Sequence, residues 1–197
     1  MTKVTEIIIV RHGEAEHNKK GTHGGWANSD LTPKGIMQAE RAKAYLDKHL
    51  EGNYTYYASD LNRARHTAKI VAGDQPIRYD WRIREIYNGL AAVMDDDERK
   101  AHLKPYTQPA HTWQAYPCAE DWGLFHERVC DFMEDVHEER VVIVTHGGTA
   151  ANIVLWWLGL TKEHLGKIFF DIDNGSVTKL CYNEWRERHI AYLNRRP

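Results

Sequence analysis

Two histidines in this sequence stand at the ends of short apolar runs. His12 follows the run from Glu6 to Val10 together with Arg11, and His146 follows the run from Val141 to Val144. Such runs are typical of strands that are covered on both faces of a parallel sheet. In an open α/β sheet, ligands bind outside the carboxyl ends of the strands. We therefore expect His12 and His146 to share one pocket.

Two further predicted strands bring more charged side chains to the same edge. The strand over 54–58 leads to Arg63, one turn into the following helix, and a weaker strand over 77–79 leads to Arg84 and Glu85. The strand ends together offer histidines, arginines and a carboxylate. This combination is suited to handling a phosphate group.

The side-chain types indicate how such a site would work. Arginine forks bind phosphoryl oxygens bidentately and stay charged, so Arg11 and Arg63 can neutralise a transferring phosphoryl group. A histidine beside two cations stays neutral, which leaves a ring nitrogen free to attack phosphorus, and a second histidine can hold the oxyanion. The leaving alcohol needs a proton, and Glu85 is the candidate donor.

Structural uses of the same residues compete with this interpretation. A metal site through His12, His17 and His23 is disfavoured, because their spacing matches no helical i, i+4 pair of ligands. We therefore expect no metal. The ion pairs that would compete are those of Arg11 or Arg63 with Glu14 or Asp60, and of Glu85 with Arg82 or Arg84.

The elements that position these residues alternate between strands and helices. This alternation predicts a layered α/β fold with a mainly parallel sheet. Helices are predicted from Pro33 to Leu50 with Thr32 as N-cap, over 61–71 with Ser59-Asp60 as N-cap, over 120–136 and over 149–158. Two or three strands are predicted over 167–193, around the turn dipeptide Asn174-Gly175.

Length and composition are those of an ordinary soluble domain. The 197 residues carry a formal net charge of -2 and are 42% hydrophobic, so the chain can bury a core without disulfides or a metal. The balanced charge argues against nucleic acid or a membrane surface as a partner. We predict one domain over 1–197, with a lid-like excursion over 88–122. The cysteine spacing and the short N-terminal apolar run favour a cytoplasmic location.

Short motifs follow one another in order across nearly the whole chain. The first is Ile9-Val10-Arg11-His12-Gly13-Glu14 with Asn18. The others are Asp30-Leu31-Thr32 with Gly35 and Gln38-Ala39, Ser59-Asp60-Leu61 with Arg63-Ala64 and Thr67-Ala68, Arg84-Glu85-Ile86 with Gly89, Val144-Thr145-His146-Gly147-Gly148, and Asp173-Asn174-Gly175-Ser176. This ordered set resembles the histidine phosphatase superfamily, the phosphoglycerate-mutase-like enzymes, in its small phosphatase branch.

The resemblance implies a fold and a role for each matched residue. The implied fold is a three-layer α/β/α sandwich with a mainly parallel central sheet. His12 would be the nucleophile that forms a phosphohistidine, and Glu85 the proton donor; no metal or other cofactor is implied. The residues implied to hold the phosphoryl group are Arg11, Asn18, Arg63, His146 and the backbone of Gly147.

One block departs from the family pattern. Many members carry Gly-Glu-Ser before the helix that follows the excursion, where residues 117–121 of this chain read Pro-Cys-Ala-Glu-Asp. Glu120 can still match, but its role stays open. The glycine-rich, basic loop over 17–26 could close over an anion. Within the excursion, Arg99, Lys100, His102 and Lys104 could contact a substrate, but a solvated face is favoured. Trp113, Tyr116 and Trp122 could line a substrate pocket, but packing of the excursion onto the body is favoured.

We expect a metal-independent phosphomonoesterase that acts on a small phosphorylated metabolite. One alternative is a cofactor-dependent phosphoglycerate mutase, which needs a closed, dry pocket. Another is a protein that keeps the pocket only to bind phosphate ligands or partners. A phosphoprotein substrate is also open, although a large lid favours a small molecule. The apolar helix with Trp156 and Trp157 could pack internally or form the face of a homodimer.

Overall fold

The computed structural model describes residues 4–22, 24–92 and 94–197. Its centre is a six-stranded sheet in the order β3-β2-β4-β1-β5-β6. The four strands β3, β2, β4 and β1 run parallel, whereas β5 and β6 are antiparallel. The mainly parallel sheet is therefore confirmed. The strands are β1 (Glu6–Arg11), β2 (Thr55–Ala58), β3 (Ile77–Tyr79), β4 (Arg140–Thr145), β5 (Val177–Tyr182) and β6 (Arg188–Arg195).

Helices cover both faces of this sheet. Along β1, Ile7 and Ile9 face a core formed with α5 and α6, whereas Ile8 and Val10 face a core formed with α2 and α3. This alternation confirms the three-layer α/β/α arrangement. Among the described residues, no helix is both long and apolar enough to cross a bilayer. The helices are α1 (Glu16–Lys19), α2 (Pro33–His49), α3 (Asn62–Ala72), α4 (Asp96–His102), α5 (Trp122–Glu134) and α6 (Gly147–Trp157).

The end of β1 is pressed against the start of α2. The Thr32 hydroxyl accepts a hydrogen bond from the backbone N–H of Gly35 at 3.1 Å and caps α2, as predicted. A Cβ atom at Gly13 would lie 2.1 Å from the carbonyl oxygen of Gly35. Glycine at both positions therefore lets the segment after β1 pass directly over the first turn of α2.

Two local predictions were wrong. Ser59 and Asp60 do not cap α3, whose N-cap is Leu61 with no side-chain hydrogen bond, because both side chains bond to residues from other strand ends. Asn174-Gly175 is not the turn between the last strands, since both β5 and β6 follow it. The Gly175 N–H instead donates to the carbonyl oxygens at the end of β1.

The excursion over 88–122 carries little regular structure apart from α4. Its short 3-10 turns lie at Gly89–Ala92 and Ala110–Thr112. Tyr116 packs with Ala91 and Ala119 in a small apolar cluster, as expected for a packing residue. At the other end of the chain, Trp156 and Trp157 are buried in the core beside the sheet, so the apolar helix α6 packs internally.

Candidate active site

Three parallel strands end level with one another at the edge where the predicted site lies. Val10 of β1 pairs with Val144 of β4, which also pairs with Ala58 of β2. The residues that follow these strands are consequently neighbours. The rings of His12 and His146 lie 5.1 Å apart between centroids, and both side chains are buried. The structure thus brings together the two histidines that the apolar runs singled out.

The hydrogen bonds of His12 define which of its ring nitrogens is free. Nδ1 lies 2.7 Å from the carbonyl oxygen of Gly13, which can only accept, so Nδ1 carries the hydrogen. Nε2 therefore keeps its lone pair, and the Arg63 Nε–H donates to it over 3.2 Å. Burial, helped by the charges of Arg63 and Arg11, holds the pKa of His12 well below that of a free imidazole.

Arg63 is 1% exposed and is held on three sides. Besides its bond to His12, it donates from Nη1 to the carbonyl oxygen of Ala27 at 2.8 Å and from Nη2 to that of Gly25 at 2.7 Å. Burial lowers the pKa of Arg63 to about 10, which leaves the guanidinium charged at neutral pH. It is not engaged by Asp60, which instead forms a bidentate pair with Arg84.

Arg11, like Arg63, does not form the ion pair with Glu14 or Asp60 that would give it a purely structural role. Glu14 pairs with Lys34 at 2.8 Å, while Arg11 donates from Nη1 to the carbonyl oxygen of Ile172. Its Nε is buried and has no hydrogen-bond partner among the described residues. Burial lowers the pKa of Arg11 as well. A second donor is therefore available beside His12.

His146 lies next to His12, at the N-terminus of α6. Its Nε2 lies 2.8 Å from the Ser59 hydroxyl, and its Nδ1 is buried without a partner in the described part of the chain. Burial and the charge of Arg63 keep the pKa of His146 well below its usual value. Helix α6 begins directly after it at Gly147, so the positive end of the helix dipole points to this region.

Glu85 reaches the site from a 3-10 turn, Trp81–Ile83, rather than directly from β3. Its carboxylate accepts hydrogen bonds from the backbone N–H groups of Gly148 and Ile86, each at 3.0 Å. Neither Arg82 nor Arg84 pairs with it, because their partners are aspartates at 80, 135 and 60. Arg84 was a possible third arginine of the site, and the structure places it outside both cavities described below.

Glu120 and Arg128 explain how the Glu85 segment is held. Arg128 binds both carboxylate oxygens of Glu120, at 2.6 and 2.9 Å, and also donates to the carbonyl oxygen of Glu85 at 2.8 Å. Glu120 further accepts from the backbone N–H of Tyr87 at 2.9 Å. The role that was open for Glu120 is thus that of a partly buried ion-pair partner of Arg128. Sequence reasoning missed Arg128, because nothing in its neighbourhood distinguishes it from a surface arginine of α5.

Two adjoining cavities open at this edge of the sheet. The smaller, of about 270 Å³, is lined by the predicted residues Arg11, His12, Asn18, Arg63 and Glu85 and by the loop glycines Gly24 and Gly25. The larger, of about 750 Å³, shares Arg11 and Glu85 and extends past Gly147. His146 is in ring contact with His12 but is not among the residues that line either cavity.

Several weaker expectations can also be placed. Asn18 uses its carbonyl oxygen to accept from the Ala15 backbone N–H at 3.0 Å, so its amide NH2 is what it can offer to an anion. Among the described residues no group of three or more potential metal ligands is found, and His23 lies outside the described residues. Trp113 and Trp122 are among the excursion residues that line the larger cavity, which is the alternative to packing that the sequence left open, and Trp122 also packs against the core. Arg99, Lys100, His102 and Lys104 line neither cavity, and Arg99 is only 8% exposed, so it does not belong to a solvated face.

A neutral buried histidine between two arginines, with a carboxylate opposite, has the composition of a phosphoryl-transfer site. When the sequence is compared with models of known protein families, the family model of the histidine phosphatase superfamily (branch 1) matches residues 7–195. The chain therefore belongs to the histidine phosphatase superfamily.

Individual relatives agree with this membership. The chain is 32% identical over 201 residues to the "Putative phosphoserine phosphatase 2" of Hydrogenobacter thermophilus, covering 96% of this chain and 95% of that protein. It is 26% identical to a 2,3-bisphosphoglycerate-dependent phosphoglycerate mutase of Histophilus somni, over 91% and 95% of the two chains. The alpha-ribazole phosphatase of Shigella flexneri has the same fold, with a TM-score of 0.82 and 24% identity over 97% and 96% of the chains. The predicted enzyme class, a phosphatase of this superfamily, is confirmed.

Proposed function

We propose that this chain is a metal-independent phosphomonoesterase that works through a phosphohistidine at His12. The observation that carries the proposal is the state of the His12 ring. Gly13 fixes the hydrogen on Nδ1, and burial keeps the imidazole neutral, so Nε2 presents a lone pair beside Arg63 and Arg11. A neutral nitrogen next to two cations is a nucleophile poised for an anionic electrophile.

In the first step a phosphomonoester enters the smaller cavity. The Arg63 Nε–H, which donates to His12 in the free protein, turns to a phosphoryl oxygen, and Arg11 binds another. Nε2 of His12 forms a bond to phosphorus while the bond from phosphorus to the alcohol oxygen breaks. Glu85, in its acid form, gives its proton to that oxygen, and His146 stabilises the charge on the phosphoryl oxygens.

In the second step water hydrolyses the phosphohistidine, and Glu85 acts as a base. Glu85, now a carboxylate, takes a proton from a water molecule whose oxygen attacks phosphorus. The bond between phosphorus and Nε2 breaks, inorganic phosphate leaves and His12 returns to its neutral tautomer. The backbone N–H groups of Gly148 and Ile86 hold the carboxyl group of Glu85 in place.

A small metabolite fits this site better than a phosphoprotein, because the excursion supplies walls such as Tyr106, Trp113 and Trp122. The mutase alternative is less well supported. A mutase must hold a sugar acid or a second phosphate with cations, and the charged residues of α4 point elsewhere. Arg99 pairs with Asp96 at 2.6 Å and Lys100 with Asp97 at 3.8 Å.

Hydrolysis of p-nitrophenyl phosphate in excess EDTA tests the proposal, followed by a panel of phosphometabolites that includes 2,3-bisphosphoglycerate. We expect turnover in the wild type and a loss of at least about 10³-fold in His12→Ala. His189→Ala, which changes an exposed histidine of β6, is the matched control and keeps full activity. Turnover that survives His12→Ala, or that needs a metal, would contradict the proposal; phosphoryl transfer to phosphoglycerate without hydrolysis would favour the mutase.

A further inference from the structure

The larger cavity is built from three separate parts of the chain. Trp113 belongs to the excursion, Leu155 to α6, and Leu165 and Phe170 to the segment that precedes β5. Its volume of about 750 Å³ lies in the range of pockets that enclose a drug-sized ligand. A phosphoryl group alone needs only the smaller cavity, so the larger one must serve another part of the substrate or no part at all.

The arrangement of the two cavities decides between these uses. His12 lines only the smaller cavity, whereas Glu85 and Arg11 line both. In an in-line displacement, the leaving oxygen lies on the side of phosphorus opposite to the nucleophile. The group that protonates this oxygen must be next to it, and that group is Glu85. The alcohol part of the substrate therefore extends past Glu85 into the larger cavity.

The walls of this cavity are largely aromatic and aliphatic, and the polar atoms of Trp113 and Asn152 are engaged within the protein. The Trp113 Nε1–H donates to the carbonyl oxygen of Pro105 at 3.0 Å. The Asn152 carbonyl oxygen accepts from Nδ1 of His126 at 2.7 Å, and its amide NH2 donates to the carbonyl oxygen of Gly148 at 2.9 Å. Apolar contact and ring stacking are what these side chains can offer to a ligand.

The charges around the cavity disfavour a substrate whose alcohol part carries a negative charge. Apart from Arg11 and Glu85, the charged residues among the described lining are Lys167, Asp171 and Asp173. The two carboxylates outnumber the ammonium, although Asp173 is itself paired with Arg196 at 2.7 Å. A substrate with a carboxylate on its alcohol part would meet no surplus of positive charge there.

Phe169 marks where the two cavities meet. It lines both of them and is nevertheless 83% exposed. A phenyl ring left in water at the mouth of a cavity gains stability when a ligand covers it, by roughly 25 cal/mol for each Å² removed from water.

We infer that the preferred substrates are phosphomonoesters whose leaving alcohol carries an uncharged, apolar ring system that packs between Phe169 and the tryptophan-lined wall of the larger cavity. This inference rests on the proposed phosphatase function. It adds the chemical class of the alcohol, which the phosphoryl site does not determine.

The test compares 2-(1-naphthyl)ethyl phosphate with ethyl phosphate. Both alcohols are primary alkanols of similar acidity, so a difference in kcat/KM reports on binding of the ring and not on leaving-group reactivity. We expect kcat/KM to be at least about tenfold higher for the naphthyl ester, the size of effect that filling an apolar pocket gives. A third ester, 3-phosphonooxypropanoate, adds a carboxylate and should be hydrolysed no faster than ethyl phosphate.

Two variants assign the preference to this cavity. Phe169→Ala and Ile168→Ala shorten exposed side chains, so neither should unfold the protein, and each should lower the ratio of the two kcat/KM values at least about threefold. Trp185→Ala removes another exposed aromatic ring, in the turn between β5 and β6, and should leave the ratio unchanged. A wild-type ratio near one, or a ratio that Phe169→Ala does not alter, with turnover that still depends on His12, overturns the inference alone. If no ester is hydrolysed in a His12-dependent way, the proposed function itself fails.

Discussion

The Nε–H of Arg63 donates a hydrogen bond to Nε2 of His12 over 3.2 Å, deep in the edge of the sheet where neither side chain is more than 2% exposed. A guanidinium can only donate, so this contact requires a lone pair on Nε2. It agrees with the opposite nitrogen, Nδ1, which faces a carbonyl oxygen. Arg63 therefore has two effects. It favours the tautomer of His12 with a lone pair on Nε2, and it places a cation next to this nitrogen, which would attack phosphorus.

Replacing Arg63 by lysine should separate charge from geometry. Arg63→Lys keeps a cation but loses the fork that binds His12, Gly25 and Ala27 together. We expect kcat for p-nitrophenyl phosphate to fall by about 10²-fold, the usual cost of losing one positioned donor. Arg65→Lys, on the exposed side of the same helix, is the control and should be silent. Equal activity of the two variants in steady-state kinetics would show that Arg63 takes no part in the reaction.

The two glycines at the start of α6 make a matched pair. A Cβ atom at Gly148 would lie 2.4 Å from Oε1 of Glu85, whereas one at Gly147 would come within 3.3 Å of the Arg11 guanidinium. Gly148→Ala should displace the carboxylate and lower kcat by about 10²-fold or more, the range of a misplaced general acid. Gly147→Ala requires the Arg11 guanidinium to shift by only a few tenths of an ångström, so it should lower kcat less than Gly148→Ala does. Kinetics of both variants, with circular dichroism to check the fold, test this order; the reverse order contradicts it.

The pair of Glu120 and Arg128 should matter for stability as well as for position. Glu120→Gln leaves the guanidinium buried without its countercharge, which typically costs about 3 to 5 kcal/mol. On the same helix, Glu127→Gln breaks only an exposed pair with Lys162 and should cost less than about 1 kcal/mol. Urea unfolding of the two variants measures the difference. Indistinguishable midpoints would show that the buried pair does not hold the Glu85 segment.

The buried histidines predict how stability depends on pH. The folded protein keeps the pKa values of His12 and His146 well below 6.5, so the unfolded chain binds protons that the folded chain does not. The contribution of these two histidines to the free energy of unfolding should therefore be complete above about pH 6.5. It should decrease as the pH drops, by up to about 1.4 kcal/mol per pH unit for each histidine. The carboxylates of Glu6 and Asp60, whose pKa values are also lowered, act only at lower pH.

Denaturant unfolding at pH 7, 6 and 5 measures this slope. The double variant His12→Asn with His146→Asn lacks both imidazoles and should show a shallower dependence over the same range. If the variant and the wild type lose stability in parallel, another group is responsible for the acid sensitivity.

The sequence predicted which residues lie close together where they stand at the end of a buried strand. Arg11, His12 and His146 are fixed by the apolar runs of β1 and β4, because the register of parallel strands aligns their ends. It failed where a contact depends on residues far apart in the chain. Ser59 was assigned to a helix cap and instead meets His146 across 87 positions, and no local pattern in the sequence reports such a contact.

The same limit applies to the walls of the site. The aromatic residues of the excursion have no helical or strand period, so their direction could not be inferred. For Trp113 the sequence favoured packing over a place in a pocket, and the structure places it in the wall of the larger cavity. Phe169 was not singled out at all. A pattern of exposed apolar residues between α6 and β5 was the available signal, but it becomes meaningful only when the fold places that segment opposite the excursion.

The leaving group should reveal the role of Glu85. p-Nitrophenolate departs without a proton, whereas an alkoxide does not. Glu85→Gln should therefore slow hydrolysis of ethyl phosphate more than hydrolysis of p-nitrophenyl phosphate, with a difference of about tenfold or more in kcat/KM. The control is Glu127→Gln, which should lower neither. Equal losses on the two esters would mean that Glu85 acts only as a structural or binding residue.

The most direct measurement is a search for phosphate on His12. In Glu85→Gln, p-nitrophenyl phosphate can still phosphorylate His12, but the water step lacks its base, so the intermediate should accumulate. We predict a burst of one p-nitrophenol per enzyme, and after quenching in base, mass spectrometry should find an acid-labile phosphoryl group on the peptide that contains His12. His12→Ala should show neither the burst nor the label. A label on another residue, or full turnover with no label on His12, would contradict the central claim.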